Sequence, residues 1–175
     1  ALDISVVHRT MHFANLPAAF DGYRILHITD PHFDAHPGLT TALVEAVRHH
    51  QVDLCLLTGD YREATRGSHL HINNDFVALV DAINAEQGVI ATLGNHDCAG
   101  MAPEMEALGM TVLANELVAI RRDDDEVVIA GVDDVHAFHT EHAVHTLNTA
   151  PSNAFRIAAI HSAELADVAA DAGFS

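Results

Sequence analysis

Four short apolar runs each lead straight into residues of metal-binding type, and this pattern constrains fold and chemistry together. The runs cover residues 23–29, 52–58, 88–93 and 155–160. They lead into Asp30-Pro31-His32, Gly59-Asp60, Gly94-Asn95-His96-Asp97 and His161-Ser162. Short β-branched and aliphatic runs are how buried strands of a mostly parallel sheet read. Helical patterns alternate with them. Leu39, Ala42, Leu43, Ala46 and Val47 make one apolar face on a helix ending near His50. Phe76, Leu79, Val80 and Ile83 repeat it, with Gly88 expected just past the end as the terminating residue. Pro103 opens a short helix that Gly109 closes. Ser162 is the expected N-cap of a last helix carrying Leu165, Val168 and Ala169, stopped by Gly173. This alternation predicts an α/β fold with right-handed crossovers.

From Met110 the rhythm changes to three short strands, Thr111-Val112-Leu113, Leu117 to Ile120 and Val127 to Ala130, with Asp123-Asp124-Asp125 as a hairpin loop. A second sheet, or the far part of a mixed one, is expected to begin there. The length fits one domain, and there is no linker, repeat or low-complexity tract.

Ligands in open α/β sheets bind beyond the carboxyl ends of the strands. Asp30, His32, Asp60, Asn95, His96 and His161 are therefore expected to converge on one edge of the sheet. Carboxylate, imidazole and carboxamide together suit Mn, Fe or Zn; two cysteines, Cys55 and Cys98, are too few for a sulfur site. Cys55 reads as a small buried hydrophobe and Cys98 as a bystander. The net charge is −17, all eight bases are Arg, and no basic patch stands clear of acids, so a nucleic acid duplex is not an expected partner. A bound pair of divalent ions would invert the local field and admit a phosphate. No run approaches the roughly 18 uninterrupted apolar residues of a membrane span. The expected location is cytoplasmic or peripheral at a membrane.

Hydrolysing a phosphate ester at neutral pH needs a nucleophile and a sink for charge on three oxygens. Two metals about 3.5–4 Å apart supply both, by activating a bridging water and clamping the ester oxygens. Asp60, after Gly59 at the end of a central strand, suits the bridge. Asp30 and His32, two apart on an extended segment, would hold one ion, and Asn95 with His161 the other. His96, paired with Asp97, would act as general acid or as a donor to the transition state. Each motif alone has a bland reading: an Asp-x-His on a surface, a Gly-Asp in a turn, a structural histidine. Their succession at four strand ends is what argues for a site.

Asp30-x-His32, Gly59-Asp60, Gly94-Asn95-His96-Asp97 and His161 together resemble the calcineurin-like metallophosphoesterase superfamily. Leu16-Pro17, Phe20 to Ile25, Thr29 to His32 and Gly131-Val132-Asp133-Asp134 resemble one bacterial branch of it, akin to UDP-2,3-diacylglucosamine hydrolase. The resemblance implies a four-layer α/β/β/α sandwich and a binuclear site for two divalent ions (Mn, Fe or Zn). Asp30 and His32 would bind the first, Asp60 would bridge, Asn95 and His161 would bind the second, and His96 with Asp97 would be catalytic. It also implies a phosphoester substrate, small or lipid-linked, and favours a diesterase over a protein phosphatase.

Two departures stand out. The family closes its site with a later Gly-His-x-His, which residues 1–175 do not contain, so they read as a single domain short of that motif, a fragment lacking two ligands and the closing strands. After Asp60, Tyr61-Arg62-Glu63 stands where another small acid or amide is frequent; Arg62, or else Arg66, is a candidate contact for a substrate phosphate, against the bland reading of a surface residue. The rival reading is a non-catalytic binding or scaffold module on the same fold. Among the fifteen histidines, His136, His139, His142 and His145 step by three and read as a solvated helix face, and His49-His50 and His69-x-His71 read the same way.

Overall fold

Two sheets lie face to face between two layers of helices. The structure, a computed structural model, describes residues 2–138 and 140–175; His139 lies outside them. The strands are β1 (Ile25–Ile28), β2 (Gln51–Val52), β3 (Leu54–Thr58), β4 (Asn84–Ala85), β5 (Val89–Thr92), β6 (Thr111–Val112), β7 (Glu116–Arg122), β8 (Asp125–Gly131) and β9 (Phe155–Ala159). The helices are α1 (Leu39–Val47), α2 (Asn73–Ala82), α3 (Ala102–Ala107), α4 (Thr140–Thr149) and α5 (Ala166–Asp171). The first sheet runs β1-β3-β5-β6, all parallel. In the second, β7 and β8 pair antiparallel and β9 joins β8 in parallel. β2 and β4 form a small parallel pair of their own.

The alternation of side chains along central strands explains the layering. In β3, Cys55 and Leu57 face α1, α2 and α3, packing with Leu43, Val47, Phe76, Leu79 and Met105. Leu54 and Leu56, on the other face, meet Ile120, Val127, Ile129 and Phe155 between the sheets. From β8, Ala130 turns outward onto Ala143, Leu147, Leu165 and Ala169 of the last two helices and the turn before α5. Three apolar layers between four layers of structure give the α/β/β/α sandwich. Every residue of β3 is buried, as its unbroken apolar run predicts.

The sheets come close together at Gly131, where a Cβ would stand 2.3 Å from the Leu113 Cβ. The hairpin falls at the acidic turn, with Arg122 opposite Asp125 and Asp123 in the left-handed region at φ 53°.

Several local expectations are corrected. β6 completes the first sheet, so the second begins only at β7. Gly88 does not end α2, because β4 intervenes; it turns the chain into β5 at φ 83°. Ser162 caps no helix: its hydroxyl donates to Asp134, and a short 3-10 turn, Ala163–Leu165, opens the last helix. Of the stepped histidines, His142 and His145 lie on α4, His136 precedes it, with Nε2 2.9 Å from Glu164 Oε1, and His139 is outside the described residues. No helix among the described residues is long and apolar enough to cross a membrane.

Candidate metal centre

The loops after β1, β3, β5 and β9 meet at one rim of the sandwich. They come from both sheets, not from the single edge that the strand pattern suggests: His161 crosses from the second sheet, its Nδ1 2.7 Å from the Thr58 carbonyl oxygen. The backbone there is bent out of ordinary conformations. Asp30, His32 and Asp60 all take positive φ, at 51°, 37° and 56°. Such left-handed non-glycine residues carry strain and gather at functional sites. Cross-loop bonds hold them: Asp30 N–H donates to the Gly59 carbonyl at 3.1 Å and His32 N–H to the Asp60 carbonyl at 3.0 Å. The two glycines permit the crossing. A Cβ on Gly59 would lie 2.4 Å from Gly94 N, and one on Gly94 would lie 2.3 Å from Asp60 Oδ1.

Asp60 is buried at the centre, and its two oxygens face different neighbours. Oδ2 is 3.7 Å from His32 Nε2 and Oδ1 is 3.5 Å from His161 Nε2. Asp30 Oδ1 lies 3.8 Å from His32 Nε2, and Asn95 Oδ1 lies 3.2 Å from His161 Nε2. The donor atoms of Asp30, His32 and Asp60 all fall within 4.8 Å of one another. Atoms bound to one ion at about 2.1 Å each stand roughly 3–3.5 Å apart, so small movements would bring this set onto a metal. The imidazoles are oriented for it. His32 Nδ1 meets the Arg62 carbonyl at 3.0 Å, and His161 Nδ1 meets that of Thr58. A proton on Nδ1 satisfies each carbonyl and leaves Nε2 as a lone pair turned inward, the usual arrangement behind a ligating histidine. The oxygen and nitrogen donors fit a divalent ion.

His96 stands beside this set, its ring edge-on to His32 at 5.0 Å between centroids. Its Nδ1 is 2.5 Å from the Glu63 carbonyl oxygen and its Nε2 3.9 Å from Asp60 Oδ2, so one nitrogen is anchored and the other looks into the site. The pairing of His96 with Asp97 is corrected. The Asp97 carboxylate turns away and accepts the backbone N–H groups of Asp60 (2.8 Å), Tyr61 (3.0 Å) and Gly94 (2.8 Å). Burial pushes the Asp97 carboxyl up, against those three donors. Its place is to fasten the Asp60 turn to the Gly94 turn.

Arg62 is likewise corrected. The residue is buried at 2% exposure, and it donates Nε to the His96 carbonyl (2.7 Å), Nη1 to Gly67 (3.1 Å) and Nη2 to Thr65 (3.3 Å). With these donors on carbonyls it clamps a loop under His96, and the phosphate-contact reading gives way. Two neighbours have roles here that the sequence does not announce. Tyr61 is fully buried under the site, its hydroxyl donating to the Thr92 carbonyl at 2.8 Å; a tyrosine after Gly-Asp carries no signal of that. Glu63 places Oε2 3.2 Å from His32 Nδ1, and His32, Glu63 and His96 form a second cluster with metal-binding spacing. Its distance of three residues from Asp60 is the sequence signal that could have found it.

A four-layer sandwich carrying carboxylate and imidazole donors at the rim shared by its two sheets is a metallophosphoesterase-type fold with a candidate metal centre. The family model described as calcineurin-like phosphoesterase matches residues 23–164, and the chain belongs to that family. One curated relative, an uncharacterized metallophosphoesterase, YkuE, from Bacillus subtilis (strain 168), is 25% identical over 171 residues. The match takes in 93% of this chain and 59% of that protein, so the chain spans little more than half of the relative's length.

Proposed function

We propose that the chain hydrolyses phosphodiesters at a binuclear divalent-metal centre held by Asp30, His32, Asp60, Asn95 and His161. The family supports metal-dependent phosphoester hydrolysis in general. The observation that carries the finer reading is Asp60: one buried carboxylate presents Oδ2 to His32 and Oδ1 to His161, as a bridge between two ions would. Two bound divalent ions, Mn, Fe or Zn, would supply an activated water and neutralise charge on the ester oxygens. Residues 1–175 act as one domain in this reading.

The protein's own groups do the rest. Asp60, fixed by the His96 N–H at 2.8 Å to Oδ1, keeps the two halves of the donor set in register. Asp97 keeps that turn in place through its three backbone contacts. His96, as an imidazolium, donates Nδ1–H to the Glu63 carbonyl and Nε2–H to the departing oxygen of the ester. A diester has one negative charge fewer than a monoester, which suits a site where the acids Asp30 and Glu63 stand close by. The substrate is a small or lipid-linked phosphodiester.

The test uses a chromogenic phosphodiester with Mn-loaded protein, alongside the matching monoester. His96→Ala is expected to lower kcat on the order of 10²–10⁴-fold with metal content retained. Asp60→Asn is expected to lose both activity and metal. Wild-type rates in both variants would overturn the assignment, and faster monoester turnover would overturn the diester preference. Absence of turnover with metal bound would favour a binding or scaffold role.

A further inference from the structure

Three chemically active side chains from three separate segments meet beside the turn that carries Asn95. Cys98 follows the Asn95-His96-Asp97 turn, His69 precedes the short turn Leu70–Ile72, and Glu104 lies in the first turn of α3. Cys98 Sγ is 3.4 Å from His69 Nδ1, and His69 Nε2 is 3.0 Å from Glu104 Oε2. The Nε2 atom is buried and no aligned hydrogen bond reaches it, so the carboxylate at ion-pair distance is what favours a proton there. With Nε2 protonated toward Glu104, Nδ1 turns its lone pair to the thiol. A nucleophile, a base within reach and a third group orienting the base make up the arrangement that activates a weak nucleophile. Two donors facing one another are too few for a closed zinc site.

The other cysteine is a contrast within the same molecule. Cys55, in the middle of β3, is wholly buried, and burial pushes its thiol up to about 12. Cys98 is only partly buried, and the Glu104 side chain beside His69 is 36% exposed, so small solutes reach this corner. The corner also touches the catalytic machinery. His69 comes two residues after Gly67, whose carbonyl shares the Arg62 guanidinium with the Thr65 and His96 carbonyls.

We propose that Cys98 is a reactive thiol that hydroperoxides oxidise to a sulfenic acid, with His69 as its base and Glu104 orienting that base. The thiol proton passes to His69 Nδ1. The sulfur then attacks one peroxide oxygen, an S–O bond forms and the O–O bond breaks. The departing oxygen takes the proton back from the imidazolium and leaves as water or alcohol. Sulfur is oxidised by two electrons and the peroxide is reduced by two.

The full chain is treated with hydrogen peroxide at pH 7, and sulfenic acid is trapped with dimedone and located by peptide mass spectrometry. Cys98 is expected to gain the adduct on the order of tenfold faster in folded than in urea-unfolded protein. His69→Gln is expected to remove that advantage, and Glu104→Gln, a change at a partly exposed position, to reduce it severalfold. Cys55 should stay unlabelled while the fold is intact, so labelling there identifies an unfolded variant. Oxidation of Cys98 at the unfolded-chain rate would overturn the proposal. So would an unchanged rate in Glu104→Gln with Cys55 still protected, a result that stands even where His69→Gln fails to fold.

Discussion

Single residues at this rim divide into donors that face inward and residues that hold the donors. Asp97 is the clearest of the second kind. Asp97→Ala leaves the N–H groups of Asp60, Tyr61 and Gly94 buried without their acceptor. It is expected to destabilise the fold by about 2–4 kcal/mol, read as a lower urea midpoint at constant slope. Gly94→Ala should act on the site itself, because its Cβ would displace Asp60 Oδ1. Mn affinity measured by calorimetry is expected to fall on the order of 10–100-fold. The inward-facing set was readable from sequence because strand ends bring polar residues to one rim whatever the loops do. The roles of Asp97 and Arg62 were not. Both bond to backbone groups of other loops, and side-chain types along a chain say nothing of which carbonyl or N–H comes close. Glu63, too, comes near His32 across two segments, in one of which Asp60 and in the other His32 turns through positive φ, a bend that residue types alone do not reveal.

Among elements, periodicity was a good guide wherever an element was long enough to have a period. α1 and α2 follow their apolar faces, and β1, β3, β5 and β9 follow their apolar runs to within a few residues. Two-residue strands have no period, so the membership of β6 in the first sheet could not be read, nor could β4, whose presence moves Gly88 away from α2. The packing of one sheet on the other is equally silent in sequence, though Gly131 marks it. Gly131→Ala would force the Leu113 side chain and its sheet aside. A loss of about 1–3 kcal/mol in thermal or urea unfolding is expected, because the extra methyl overfills a packed interface.

At the scale of the whole molecule, the excess of acids makes bound cations stabilising. Mn at a hundredfold its Kd should add about 2.7 kcal/mol, seen as a rise in Tm that Asp60→Asn abolishes. Alkali should act through the two tyrosines. Burial, then the nearby Asp53, pushes the Tyr23 hydroxyl up to about 12, and burial likewise raises Tyr61 well above its ordinary value. A phenol raised on folding stabilises the protein below its ordinary value of about 10, and that contribution is lost as pH climbs through the raised one. Absorbance at the tyrosinate band is therefore expected to stay low in folded protein at pH 10–11 and to appear together with unfolding; ordinary titration of either ring in folded protein would contradict this. The bond from His161 to Thr58 spans 103 positions and ties the two sheets at the rim. Such a distant pairing closes a long loop, the kind of contact that slows folding. A chain emerging from the ribosome would lack the His161 donor at this rim until β9 had been made and docked, so metal uptake would report the moment at which the second sheet joins the first.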